Sequence, residues 1–177
     1  EQKSEQLIAE TSKKFGIPVD AATHVAFHVM PQERLSGSTT YKNNTAALQA
    51  MQTQNGAKVN AVVLPVVADE KNMQDVQRII AYMRYNPRVM GMIPAAGFKD
   101  KVSDYLDEVS DVARFLGVDP VYKDAEGRLL GDLDLGKSQA RWLEQAMQRK
   151  IKDSNIVILG GAGVTGLAAA YEYLKEG

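Results

Sequence analysis

Cysteine is missing altogether from these 177 residues, which excludes a disulfide framework, a thiolate metal site and a cysteine nucleophile. A dominant charge is missing too. With 21 Lys and Arg against 22 Asp and Glu, the net charge is −1, so no basic field argues for nucleic acid or an anionic membrane. No apolar run approaches the roughly 20 residues of a membrane span. Glu1 to Lys14 is polar and charged, unlike a secretory signal. The expectation is a cytoplasmic protein without nucleic-acid or membrane partners. Hydrophobic content of 45% and charged content of 24% are ordinary for a globular chain. The length suits one complete domain plus part of another.

Strand-like and helix-like stretches alternate along the chain. Glu1 to Phe15 has helical spacing and stops at Gly16 and Pro18. Thr23 to Met30 is a short apolar run read as a strand, and Gln32 to Thr40 reads as a loop. Asn43 to Gln54 is helical and ends at Asn55-Gly56. Val59 to Val67 is nearly continuous in apolar residues, the pattern of a parallel strand covered on both faces. Asn72 to Arg84 is an amphipathic helix with Val76, Ile79, Ile80 and Met83 as its buried stripe. Val89 to Ile93 is a further strand. Lys99 to Leu106 and Val109 to Phe115 read as helical, Val118 to Tyr122 and Arg128 to Leu130 as a hairpin, and Gly136 to Lys150 as a helix. This alternation predicts an α/β fold with a mainly parallel sheet.

The C-terminal stretch carries the sharpest motif. Asn155 to Leu159 is an apolar run read as a strand. Gly160 to Gly166 follows, with G-x-G-x-x-G at Gly161, Gly163 and Gly166, and Leu167 to Tyr173 reads as a helix. A strand, a glycine turn and a helix form the phosphate-binding start of a dinucleotide domain: the glycines permit close backbone approach, and the helix N-terminus presents free N–H groups. Gly161, Ala162, Gly163, Val164, Thr165 and Gly166 are the expected cofactor contacts. The acidic residue for the ribose is expected about 20 residues further on, beyond Gly177. The chain therefore reads as part of something longer, in two parts: residues 1–135, and residues 136–177 as a connector helix and an incomplete dinucleotide-binding domain.

From roughly Ala26 to Gly177 the sequence resembles the shikimate dehydrogenase family. Leu35-Ser36-Gly37-Ser38, with Asn43, is similar to the family's Ser-x-Ser-Pro-x-x-His-Asn segment, which binds the substrate carboxylate. Ser36, Ser38 and Asn43 match, whereas Thr39 replaces the proline and Lys42 the histidine. The family's Gly-x-Asn-Val-Thr-x-Pro-x-Lys motif reads Gly91-Met92-Ile93-Pro94-Ala95-Ala96-Gly97-Phe98-Lys99. Its glycine and catalytic lysine are kept, while Ile93 and Ala95 stand where the family has asparagine and threonine. Leu106-Asp107-Glu108-Val109-Ser110 keeps the family's spacing from Lys99. Gly-Ala-Val-Asn-Thr becomes Gly117-Val118-Asp119-Pro120 after Leu116, without the substrate-binding asparagine. The segment Asp132-Leu133-Asp134-Leu135-Gly136 replaces Tyr-Asn-Thr-Asp-Gly, so Leu135 falls on the catalytic aspartate and Asp134 lies one residue away.

The resemblance implies an NAD(P)-dependent oxidoreductase acting on a small cyclic hydroxy acid, in the manner of aromatic amino acid biosynthesis. NADP or NAD would be its cofactor. Lys99 would transfer the proton with Asp134 as its partner, and Ser36, Ser38 and Asn43 would hold the substrate. The apolar replacements imply a preference for less hydroxylated acids. Two other readings stand beside this one. The first is a non-catalytic relative that binds a small acid or a partner protein. The second is an enzyme like methylene-tetrahydrofolate dehydrogenase, which shares the layout. Asp132 and Asp134 also suit helix capping, and the Ser36 and Ser38 hydroxyls suit local backbone bonds. His24 and His28, four apart on a strand, have no third ligand spaced to complete a metal site and read as structural.

Overall fold

The computed structural model describes residues 1–36, 40–54 and 60–176, with the backbone alone for residues 40, 41 and 51–54. Ser38, Asn55-Gly56 and the expected strand start at Val59 lie outside the described residues. The elements in chain order are α1 (Gln2–Phe15), β1 (His24–Met30), α2 (Gln32–Leu35), α3 (Thr40–Gln54), β2 (Ala61–Val67), α4 (Met73–Tyr85) and β3 (Val89–Pro94). They continue with β4 (Glu108–Val109), α5 (Asp111–Leu116), β5 (Val121–Lys123), β6 (Leu129–Gly131), α6 (Leu135–Met147) and α7 (Val164–Glu176). The expected α/β fold with a mainly parallel sheet is present.

The sheet runs β2-β1-β3-β5-β6-β4. β1 pairs in parallel with β2 and β3, and β4 in parallel with β6. β5 runs antiparallel to both of its neighbours, which confirms the expected hairpin. The two faces of β1 differ. Val25, Phe27 and Val29 are fully buried in the main core with Val62, Leu64 and Val66 of β2. Val76, Ile79, Ile80 and Met83 of α4 pack into the same core, and burying each contributes roughly 1.5–3 kcal/mol. Asn72 caps α4 by accepting from Gln74 N–H at 3.2 Å. The opposite face carries Ala26, Met30, Val63 and Ile93 in a small cluster with Leu48 of α3. The β1–β3 register shifts between Val25 and Ala26. This irregularity lets Val89 and Met92, an odd number of residues apart, both face the main core, and it brings Ile93 level with His28.

Three expectations change. The helix expected over Lys99 to Leu106 is instead a run of turns with one 3-10 turn at Ser103–Tyr105. There the Arg84 guanidinium bonds the Tyr105 carbonyl at 3.2 Å, and Asp107 exchanges backbone and side-chain bonds with Leu129. These contacts draw the chain onto the sheet edge as β4. The loop from Gln32 contains the short helix α2. The strand expected over Asn155 to Leu159 does not form: Val157 and Leu159 are 85% and 93% exposed. Among the described residues no strand lies beside this segment to complete a ladder.

Candidate active site

The site is built on the face opposite the main core, where β1 and β3 end. A cleft of about 630 Å³ opens there, lined by His28, Met30, Ile93 to Ala96, Lys99 and Asp119, with Glu33 and Arg34 of α2 at its side. A more apolar groove of about 600 Å³ adjoins it, sharing Ile93 and Asp119 and bounded by Leu48, Tyr122 and Leu135. Position at the carboxyl ends of strands is where α/β folds gather their ligands.

Lys99 reaches the cleft because its neighbours are pinned. Phe98 and Val102 are fully buried, and Phe98 N–H closes a turn onto the Ala95 carbonyl at 3.1 Å. The Lys99 carbonyl accepts from Val118 N–H at 2.8 Å. Gly117, at φ 101°, packs so closely that a Cβ there would stand 2.9 Å from Lys99 Cβ. The Lys99 ammonium then donates to Asp119 Oδ2 at 2.5 Å, with both side chains about three-quarters buried. Asp119 is itself fixed: its N–H donates to the Asp132 carbonyl at 2.7 Å and its carbonyl accepts from Asp134 N–H at 3.0 Å. The carboxylate beside the lysine is thus Asp119.

Asp134 sits at the start of α6, exposed, with its carboxylate 3.4 Å from Lys137 Nζ. Its backbone N–H is engaged with Asp119, and its side chain turns to its own helix. Asp132 is likewise taken, bonding Ser110 Oγ at 2.6 Å and Lys137 Nζ at 2.5 Å. Burial acts to raise the Asp132 carboxyl, but bonds from Lys137, Ser110 and Leu133 N–H outweigh it and hold the group below its ordinary value. Ser36 ends α2 and is exposed, and Asn43 is exposed on α3. Glu33 and Arg34, not Ser36, are the α2 residues on the cleft wall.

His28 is the cleft residue that the sequence reading set aside. It is 6% exposed, and burial pushes its imidazole below the ordinary value; Asp119 opposes this and Lys99 adds to it. A polar residue inside an otherwise apolar strand was the available signal. Asp119 carried the same signal, a lone carboxylate between Val118 and Pro120-Val121. His24, by contrast, is exposed at the strand's start.

The glycine turn leads into α7. Gly160 takes φ 79°, and its carbonyl accepts from Gly163 N–H at 3.2 Å. Ala162, Gly163, Val164 and Thr165 are exposed. A Cβ on Gly166 would stand 2.6 Å from Gly161 Cα, so only glycine lets the turn close on the helix start. The residues present therefore fit a phosphate-binding turn at a helix N-terminus. At Gly136 a Cβ would stand 2.2 Å from the Ala168 carbonyl oxygen, which is how α6 and α7 pack so closely.

No protein-family model matches the chain, and no curated protein matches it. Solved structures do. A shikimate dehydrogenase in complex with NADP+ is similar at 24% identity and TM-score 0.66, over 90% of this chain and 50% of that one. The 5-ketofructose reductase of Gluconobacter sp. strain CHM43 is similar at 22% identity and TM-score 0.65, over 89% and 52%. Quinate dehydrogenase from Corynebacterium glutamicum, in complex with NAD, is similar at 21% identity and TM-score 0.61, over 88% and 52%. The chain spans about half the length of these structures. Over that half, it has the fold of the shikimate dehydrogenases, as the Leu35–Asn43, Gly91–Lys99 and Leu106–Ser110 stretches led one to expect.

Proposed function

We propose that the chain supplies the substrate-binding and proton-transfer part of an NAD(P)-dependent oxidoreductase acting on a small cyclic hydroxy acid. The observation that carries this reading is the Lys99–Asp119 pair, set in a cleft at the strand ends of a shikimate-dehydrogenase-like fold. Residues 1–135 would form the substrate part. Residues 136–177 would supply the connector helix and, at Gly161 to Gly166, the turn that holds the dinucleotide phosphates. NAD(P) bound there supplies the hydride acceptor.

The chain's own chemistry is proton handling. As the alcohol is oxidised, the hydroxyl proton passes to Lys99 in its neutral amine form, reached when the ammonium of the Lys99–Asp119 pair has released its own proton to water. Asp119 stabilises the ammonium that results and keeps the side chain in place. Arg34 offers the carboxylate of the acid a cation on the cleft wall. Ser36, Ser38 and Asn43 remain the hydroxyl and amide groups proposed to complete that anchor, and Asp134 contributes by bonding the Asp119 carbonyl. Ile93 and Ala95 make the wall apolar, which disfavours substrate hydroxyls left without partners.

Turnover of a panel of cyclic hydroxy acids with NADP+ and NAD, in a protein that carries this chain joined to a completed dinucleotide-binding domain and in its Lys99→Ala variant, tests the proposal, since the 177-residue chain alone is expected to be inactive. The expected loss is at least about 100-fold, with cofactor affinity little changed. Unchanged turnover in Lys99→Ala removes the lysine from this role. The apolar wall at Ile93 and Ala95 also favours a second reading, a non-catalytic acid binder. That reading predicts acids that bind but are not oxidised with either cofactor.

A further inference from the structure

We propose that His28 is a specificity-determining residue of the cleft, its imidazole forming a hydrogen bond with a hydroxyl of the small acid bound beside Lys99. The inference rests on the functional reading above and adds a recognition residue to it.

His28 is buried to 6% exposure yet lines the cleft. Its Nδ1 is fully buried and has no hydrogen-bond partner among the described residues. Buried polar side chains in folded proteins are nearly always partnered, and this molecule follows that rule elsewhere. The buried Asn86 amide donates to Ser4 Oγ at 2.9 Å and Glu5 Oε1 at 2.7 Å. The Thr23 hydroxyl donates to Asp20 Oδ1 at 2.7 Å. Only one other orphan is found among the described residues, Oε1 of Glu172, and it belongs to the α6–α7 crossing beside Gly136.

The register explains what the orphan is for. His28 on β1 is the direct partner of Ile93 on β3, and paired residues of parallel strands share a face. Ile93, Ala95 and Met30 give the cleft an apolar wall that offers a substrate hydroxyl nothing. His28 places one hydrogen-bonding group on that wall, level with Ile93. Lys99 and Asp119 already engage each other, one as donor and the other as acceptor. A neutral imidazole offers one N–H and one acceptor nitrogen, so the ring edge that faces the cleft can serve a hydroxyl as donor or as acceptor, according to the tautomer. Burial favours that neutral form.

The test uses the 177-residue chain and two probes, cyclohexanecarboxylate and 3-hydroxycyclohexanecarboxylate. Because the chain contains 2 histidines, the nitrogen resonances of His28 are read directly in the wild type. We expect the hydroxy acid to bind about tenfold more tightly than the plain acid and to move the His28 nitrogen resonances, which the plain acid leaves in place. In His28→Leu the two acids bind equally; in His28→Asn, which keeps a hydrogen-bonding group, part of the preference returns. A preference undiminished in His28→Leu overturns the assignment, as do His28 resonances that ignore the hydroxy acid or equal binding of both acids to the wild type. In each of those cases the acid-binding reading survives. If neither acid binds the wild type, the reading and the inference fall together.

Discussion

Lys99 and Asp119 are joined twice: the ammonium meets Oδ2 at 2.5 Å, and one residue before the aspartate Val118 N–H donates to the Lys99 carbonyl at 2.8 Å. The side-chain pair is therefore set by a backbone contact. The turn after β3 cannot move without moving the segment that carries the carboxylate. The proton transfer proposed for Lys99, on its long flexible stem, needs such a fixture if the amine is to stay within reach of a substrate hydroxyl.

Removing the carboxylate separates its charge from its hydrogen bond. Asp119→Asn keeps an oxygen that accepts from Lys99 and should fold with a loss under about 1 kcal/mol. Asp119→Ala leaves the partly buried ammonium without that partner and should cost about 1–3 kcal/mol. Urea unfolding of the two variants measures the difference; equal stability would show that the pair contributes little to the fold.

Gly117 should tolerate no side chain. Its φ of 101° is strained for any L-residue, and the added Cβ would press on Lys99 Cβ at 2.9 Å. Gly117→Ala is expected to lose about 1–3 kcal/mol of stability and to weaken acid binding, because the displaced residue is Lys99. Calorimetric titration with a cyclic carboxylate, alongside a thermal melt, reads both effects. Full stability and wild-type affinity in Gly117→Ala would contradict this packing.

The acid sensitivity of the fold has a named source in His28. Burial holds its imidazole below 6.5, with Lys99 adding to the effect and Asp119 opposing it. In the unfolded chain the ring takes up a proton near 6.5, while the folded ring does so only at lower pH. The unfolded state thus binds more protons below 6.5, and stability falls as pH drops from there toward the folded value. In His28→Leu that part of the slope disappears. Urea midpoints at about pH 7.5 and about pH 5.5 should fall between the two conditions by less in the variant than in the wild type, and an equal fall in both would assign the slope to other groups.

Substrate choice should respond to the wall. Ile93→Asn and Ala95→Thr add hydrogen-bonding groups beside His28 on the same cleft. The double variant is expected to gain about tenfold in affinity for dihydroxylated cyclic acids relative to monohydroxylated ones. Competition binding across such a series would expose an unchanged preference, which would place the acid elsewhere than on this wall.

Much of this molecule was legible from local pattern. The stripe on α4, the apolar run of β2, the hairpin of β5 and β6 and the glycine turn before α7 all follow from periodicity and from residues with special backbone freedom, which neighbours along the chain are enough to define. Lys99 stood out as well, through the resemblance of the Gly91 to Lys99 stretch to the family motif. What local pattern could not supply was pairing between distant residues. Asp134 was the nearer match to the lysine's expected partner by alignment, yet its N–H holds the Asp119 carbonyl and its side chain faces Lys137, so the fold gives that place to Asp119. Asn155 to Leu159 has the composition of a strand, but a strand exists only where another lies beside it. His28 read as structural because no third ligand is spaced to complete a metal site with it and His24. Only the register that sets it level with Ile93, on the face opposite the main core, places a buried histidine on a cleft, since which groups share a strand face is decided by the strands paired and packed across it, far away in sequence.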